Sequence, residues 1–248
     1  MPEGRAVRPG EDPAFPPFLY PEYRSTALRA PMRPLVEPPR TISELTGPGP
    51  ALASLVEPDA DLTSNAGTGD VALGERIIVT GTLRDSAGDP VPNAVIEIWQ
   101  ANAAGRYLHD EDRHDAPLDP NFTGIGRCLT DEAGAYRFVS VRPGAYPWEN
   151  HPNAWRPSHV HLSIFGTSFS DRLVTQMYFP GDPLQAIDPI FNSVPDPAAR
   201  NRLVARYDHG VTEPGRALGF RFDVRLAGPG ATPLEGSDVP SGRRIHAG

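Results

Sequence analysis

The sequence contains no lysine: all 23 of its basic residues are arginine. That absence excludes a Schiff-base lysine and the phosphate-binding lysine of a P-loop, and with them imine-forming aldolases, pyridoxal enzymes and P-loop NTPases. Cysteine is nearly absent too. A single copy, Cys128, leaves no intrachain disulfide, no cysteine-based zinc site and no iron–sulfur cluster held by this chain alone. No apolar run approaches the roughly 20 residues a membrane helix needs, and the charged, proline-rich start does not read as a secretion signal. A soluble cytoplasmic protein is the expectation. Positive charge is also scarce: a formal net charge of -8 argues against a nucleic-acid binder, which needs a basic footprint for phosphates. An anionic substrate would have to be held by local arginines.

What is present divides the 248 residues into an arm, one catalytic domain and a tail, a length that suits a single substantial core. Thirteen of the 30 prolines fall before residue 60, which favours extended backbone over helix or central strand. Phe15, Phe18, Tyr20 and Tyr23 give this arm, residues 1–74, more apolar surface than a solvated linker needs, so packing on a partner is expected rather than a disordered tail. Within it, Thr41-Ile-Ser-Glu44 fits a capping box opening a short helix that Gly47 and Pro48 would stop.

From about Glu75 the texture changes to short segments rich in β-branched and aromatic residues. Strands are expected near Arg76–Arg84, Ala94–Ala101, Gly126–Thr130, Tyr136–Val141, His159–Phe165, Leu173–Phe179 and Phe220–Leu226. Asp85-Ser-Ala-Gly-Asp-Pro90 and Asp131-Glu-Ala-Gly134 read as turns, because glycine permits positive φ and proline fixes φ. Seven strands with no long amphipathic helix between them predict an all-β fold, an antiparallel β-sandwich over residues 75–228. Residues 229–248 show little periodicity and read as a surface extension.

The segment richest in chemistry is Asn153-Ala-Trp-Arg-Pro-Ser-His-Val-His161. Side chains alternate faces along a strand, so His159 and His161 project to the same side, either as two ligands of one metal ion or as two satisfied polar residues. Tyr107 and Tyr146 each follow a glycine-containing turn at an apparent strand end, where loops on a sandwich carry function. Any one tyrosine is more often core than ligand. His109-Asp-Glu-Asp-Arg-His-Asp115 offers carboxylates and imidazoles together, but its spacing fits neither a calcium loop nor a zinc motif, so a solvated loop or a subunit contact is expected there. Cys128 reads as a small buried hydrophobe.

Together these segments resemble the intradiol ring-cleaving dioxygenases, and within that family the iron-bearing β subunits of the protocatechuate-cleaving branch. The resemblance runs through Pro21-Glu-Tyr-Arg-Ser-Thr26, Glu97-Ile-Trp-Gln-Ala-Asn102, Pro117-Leu-Asp-Pro-Asn-Phe122, Arg142-Pro-Gly-Ala-Tyr-Pro-Trp148, Trp155-Arg-Pro-Ser-His-Val-His161 and Thr175-Gln-Met-Tyr-Phe179. It implies that Tyr107, Tyr146, His159 and His161 bind one non-haem Fe(III), that Arg156 is the catalytic cation, and that Tyr146 leaves the metal to accept a substrate proton. It places Tyr23, Arg29, Trp99, Trp148, Gln176 and Ile190 around the substrate, and implies a homologous α subunit in an (αβ)n assembly. The implied reaction opens protocatechuate with O2, between the two hydroxyl-bearing carbons, to 3-carboxy-cis,cis-muconate. Catechol or hydroxyquinol as substrate, and a non-catalytic sandwich subunit, stand as alternatives. Two positions depart from the family pattern: Ala145 stands where proline is usual, and Ser158 where alanine is common. Two phenolates suit ferric iron, since hard anionic oxygens favour it and since catalytic zinc and ferrous sites use other donor sets.

Overall fold

Six of the seven expected strands form with ends displaced by no more than two residues, because the alternation that identified them is the alternation that the fold buries. The computed structural model describes residues 12–33, 59–166 and 172–235; the short helix expected at Thr41–Glu44 lies outside them. In chain order the elements are α1 (Thr26–Arg29), β1 (Arg76–Arg84), β2 (Val95–Trp99), β3 (Ile125–Leu129), β4 (Ala135–Val141), β5 (Tyr146–Pro147), β6 (Trp155–Arg156), β7 (His159–Phe165) and β8 (Arg172–Tyr178). A 3-10 turn (Pro183–Ala186), α2 (Pro189–Asn192), α3 (Pro197–Asn201), β9 (Arg206–Tyr207), β10 (Leu218–Arg221) and β11 (Val224–Arg225) follow. The seventh expected strand, Phe220–Leu226, is broken in two. At the break the Asp223 carboxylate takes over the ladder, accepting from the backbone N–H of Thr82 at 3.0 Å.

The first sheet is built on β1, which pairs antiparallel with β4 and parallel with β10 and β11, while β9 flanks β10. The second sheet has the order β3-β2-β7-β8 and is antiparallel throughout. The sandwich is thus antiparallel apart from the junction of β1 with the chain's last strands. Parallel neighbours need a long connection, and here it is the whole second sheet. Between the sheets lies one apolar core to which β1 contributes Ile77, Val79 and Leu83, β4 contributes Phe138, β2 contributes Ile96 and Ile98, and β7 contributes Val160, Leu162 and Ile164. The two expected turns form around aspartates, Asp85 Oδ1 accepting from the N–H groups of Ala87, Gly88 and Asp89 and Asp131 Oδ1 from those of Ala133 and Ala135.

At both flanks the described residues turn inward. Residues 12–33 of the arm pack on this chain itself: Phe15 and Tyr23 are buried, Arg24 donates to Asn150 through its backbone and its guanidinium, and Asn150 returns a bond to the Glu22 carbonyl. Phe15 and Tyr23 therefore find surface on their own sandwich, Phe18 and Tyr20 are half-buried, and Leu19, Leu28 and Met32 stay exposed. Leu62 and Ala72 likewise belong to the apolar core. The segment read as a surface extension also turns inward. Ala231, Thr232 and Glu235 are buried, because Thr232 pairs with Arg225 and the Glu235 N–H donates to the Val174 carbonyl. Among the described residues no helix is long and apolar enough to cross a membrane.

Candidate metal centre

Sheet register assembles half of the site. On β7, Val160, Leu162 and Ile164 face the core, which leaves His159 and His161 on the outer face. The ladder sets Trp99 of β2 and Gln176 of β8 on either side of His161, and Tyr178 opposite His159. Cross-strand neighbours on one face are in contact: the Trp99 and His161 rings stack with centroids 4.8 Å apart and planes 6° from parallel.

Loops supply the other half. Tyr107 follows β2 and Tyr146 opens β5, and the two loops meet backbone to backbone. Gly105 has φ +81°, and a Cβ there would lie 2.2 Å from the Ala145 carbonyl oxygen; only glycine tolerates both conditions. Buried Asn102 ties the loops together, its carbonyl accepting from the N–H of Gly105 and of Gly144, and its side-chain oxygen from the N–H of Ala104 and of Arg106. The Tyr107 N–H donates to Asp112 at 2.7 Å, so the 109–115 segment, most of it exposed as expected of a solvated loop, also braces a tyrosine through one of its carboxylates. The tyrosine rings meet edge to face at 5.4 Å. Ser158 donates its hydroxyl to the Pro143 carbonyl at 2.7 Å, joining the start of β7 to the loop that carries Tyr146. Of the two departures from the family pattern, Ser158 thus ties the loop to β7, and Ala145 provides the carbonyl against which Gly105 packs.

The histidine tautomers follow from their outer contacts. His159 Nδ1 lies 2.7 Å from the Pro157 carbonyl, which can only accept, so Nδ1 carries the hydrogen. His161 Nδ1 lies 3.1 Å from a carboxylate oxygen of Glu235, and by the same argument is a donor. Both Nε2 atoms therefore present lone pairs, yet they lie only 3.2 Å apart, with the Tyr146 hydroxyl 3.4 Å from that of His159. Two lone pairs so placed repel unless a cation lies where both point. Burial, the nearby Arg156 and His161 hold the His159 imidazole well below its ordinary range, so it does not supply that cation by protonation. Among the described residues the buried Tyr107 hydroxyl, which faces the neighbouring Tyr146, makes no well-formed hydrogen bond, and buried polar atoms ordinarily have one. A cation where both lone pairs point would answer these observations. Among the described residues no group of three or more His, Cys, Asp or Glu is placed to hold a metal ion, and the side chains beside the two imidazoles include the Tyr107 and Tyr146 phenols. Burial pushes both phenol pKa values upward, further for Tyr107, where the neighbouring Tyr146 adds to the effect. They ionise only against a strong local positive charge.

A buried polar network flanks these donors. The Arg156 guanidinium forms an ion pair with Asp188 at 3.2 Å, donates to Gln176 and to the Tyr178 hydroxyl, and lies 5.4 Å from the centre of the Trp148 ring. Burial alone would lower its pKa, but Asp188, with the phenols behind it, holds the guanidinium charged. Asp188 also caps α2 through the N–H groups of Ile190 and Phe191.

The chain matches two family models: "Dioxygenase" over residues 48–228 and "Protocatechuate 3,4-dioxygenase beta subunit N terminal" over residues 8–40. It is 54% identical over 229 residues to the protocatechuate 3,4-dioxygenase beta chain of Burkholderia cepacia, covering 92% of this chain and 97% of that one. The alpha chain of the same organism is 32% identical over 164 residues, 65% of this chain and 77% of its own length. The chain belongs to the intradiol dioxygenase family. It is an oxidoreductase of that class, and the solved 3-chlorocatechol 1,2-dioxygenase of Rhodococcus opacus 1CP shares its fold, with a TM-score of 0.51 at 25% identity over 70% of this chain and 69% of the other.

The residues expected around an intradiol substrate fall into separate contacts: Trp99 lies against His161 and Trp148 beside Arg156. Tyr23 and Trp148 rings lie 5.4 Å apart, Arg29 sits 4.6 Å over Tyr23, and buried Ile190 shares the lining of a small cavity with Gln176. Sequence reasoning missed Glu235, Asp188, Asn102 and Asp112. Asp188 and Asp112 carried a faint signal, the first as an Asp-Pro helix start and the second as part of a noted cluster. Glu235 stood in a stretch with no periodicity at all.

Proposed function

We propose that this chain is the catalytic β subunit of a protocatechuate 3,4-dioxygenase, opening protocatechuate with O2 to 3-carboxy-cis,cis-muconate in the cytoplasm, at a non-haem Fe(III) held by Tyr107, Tyr146, His159 and His161. The observation that carries the reading is the pair of imidazole lone pairs meeting 3.2 Å apart beside two buried phenols. Two anionic oxygens suit a ferric centre, and two phenolates with one hydroxide leave it neutral, so it can be buried without a large desolvation penalty. When bound, a ferric ion would supply Lewis acidity toward a catechol-type substrate.

This chain's own residues do the rest. Tyr146, the donor on the short β5–β6 hairpin, accepts a proton at its phenolic oxygen as substrate enters. Arg156, fixed by Asp188 and Gln176, presents a permanent cation where negative charge develops on the ring. Trp148, Ile190 and Tyr23 wall the pocket and exclude water. The arm, residues 1–74, carries contacts to a homologous α subunit as well as Tyr23 and Arg29, residues 75–228 carry the catalytic sandwich, and residues 229–248 form the tail. The identity to a beta chain, well above that to alpha chains, favours the iron-bearing role over the non-catalytic sandwich.

The test is the purified holoprotein. It should contain one iron per chain, be red-brown from phenolate-to-Fe(III) charge transfer, and consume one O2 per protocatechuate. A colourless, iron-loaded, active protein would refute the phenolate assignment, and preferential turnover of catechol or hydroxyquinol would move the chain to the alternative substrates.

A further inference from the structure

Glu235 is a buried carboxylate that the proposed chemistry does not use. It is brought to the site by a strap that bridges the two sheets. Thr232 exchanges bonds with Arg225 of β11, its N–H donating to the Arg225 carbonyl at 2.9 Å and its hydroxyl accepting from the Arg225 N–H at 3.1 Å. The Thr175 hydroxyl of β8 donates to the Pro233 carbonyl at 2.7 Å, and the Glu235 N–H donates to the Val174 carbonyl at 2.7 Å. So anchored, Glu235 turns one carboxylate oxygen to His161 Nδ1 at 3.1 Å and accepts from the Gln176 amide with the other. Gln176 in turn accepts from Arg156 and Tyr178, which makes one continuous hydrogen-bonded path from the imidazole to the guanidinium.

The charges distinguish this carboxylate from its neighbour. Arg156 and Asp188 form an ion pair and cancel. Glu235 has no such direct partner: it faces an imidazole and an amide, and although burial pushes its carboxyl upward, those two contacts, with the nearby Arg156 charge, hold it below the usual range. The two histidines differ accordingly: His159 leans on a neutral carbonyl and His161 on an anion.

We propose that Glu235 is a positioning residue, which fixes His161 as the Nδ1–H tautomer and makes it the more electron-rich of the two imidazole donors, favouring the ferric state. The inference rests on the reading of His161 as an iron ligand. A carboxylate behind a metal-bound histidine raises its basicity and fixes its ring. The strap thereby couples order in the last described residues to retention of the metal.

The test is Glu235→Gln in the assembled holoenzyme, compared with Thr175→Val, which loosens the strap but keeps the carboxylate. Glu235→Gln should move the charge-transfer band to lower energy, raise the Fe(III)/Fe(II) potential, and speed iron loss to a chelator by on the order of 10 to 100-fold. Thr175→Val should lower Tm with band and potential unmoved. Glu235→Asp retains the charge but withdraws it by one methylene. It should shift the band in the same direction by less, and it decides the matter if the glutamine variant does not fold. A folded Glu235→Gln or Glu235→Asp protein with wild-type band, potential and iron retention would overturn the proposal while leaving the iron reading intact. A wild-type protein without stoichiometric iron or a charge-transfer band would instead overturn the iron reading itself.

Discussion

The two histidines and the two tyrosines of the centre are held by different means. His159 and His161 belong to a strand inside a four-stranded sheet, and their separation, direction and neighbours are fixed by register: slipping β7 by one residue would bury both against Ile96 and Ile98 and expose Leu162. Tyr107 and Tyr146 stand on loops, and nothing as general as register places them. Their positions rest on particular contacts, namely Gly105 against Ala145, Asn102 between both loops, Asp112 under Tyr107, and Ser158 on Pro143. A fixed pair and a loop-borne pair would suit the proposed centre, in which one phenol leaves and returns. The hairpin that carries Tyr146 would then be the hinge, and the sheet the frame it moves against.

The sharpest way to break this comparison is to remove a donor from the fixed pair. His161→Ala should abolish iron binding and colour and lose all turnover, while the core beneath it, Leu162 and Ile164, keeps the fold. Iron analysis and circular dichroism together check this. Retained iron at wild-type stoichiometry would mean that the loops alone can hold the ion.

Next in size is Arg156→Ala, which leaves all four donors in place. Turnover per bound iron should fall by a factor on the order of 10² to 10³, as for other preorganised electrostatic groups, with colour largely kept. Arg156→Lys should rescue only in part, because an ammonium cannot reproduce a planar guanidinium. The competing outcome is that iron content and stability fall while turnover per iron stays at the wild-type value, which would make the Arg156–Asp188 pair purely structural.

The same contrast governs how much could be read from the residues. Strands, turns and the shared face of His159 and His161 follow from alternation and turn chemistry, which are local and periodic, so they were legible directly. The proposed ligand role of the tyrosines was legible only through resemblance, because a single tyrosine after a glycine turn is ordinary. Asp112 was legible only as a member of a charged cluster, and Asn102 and Glu235 were not legible in their roles, since these two act through contacts between segments distant in the chain or between irregular loops. The inward turn of residues 231–235 escaped for the same reason: Thr232 and Glu235 are polar, and their burial is explained only by partners on Arg225, His161 and Gln176.

Turning to the loops, Gly105→Ala tests the contact between them. A Cβ at φ +81° and 2.2 Å from the Ala145 carbonyl costs about 1–3 kcal/mol in backbone strain alone, and the loops must also separate. Stability should fall by at least that amount, and the charge-transfer band should broaden as Tyr107 loses its fixed orientation. Iron should still bind, since the histidines are untouched. An unchanged Tm and band would show that the close approach of the loops does not matter.

The smallest effect belongs to Ser158, and it separates anchoring of the hinge from everything else. Ser158→Ala removes one buried hydrogen bond, from the hydroxyl to the Pro143 carbonyl, which is worth about 1 kcal/mol in net stability. That alone would be a modest change in Tm. If the serine offsets the freedom that Ala145 gives the loop, Ala145→Pro in the same chain should restore what was lost, because proline at a compatible position adds about 0.4–1 kcal/mol by restricting the unfolded chain and stiffens the segment before Tyr146. Rapid-mixing measurement of substrate binding reads the hinge directly. Ser158→Ala should speed the step in which Tyr146 is displaced, and the double variant should return it toward wild type. Additive effects with no return would show that the two positions act independently, and that the loop is held by Asn102 and Gly144 alone.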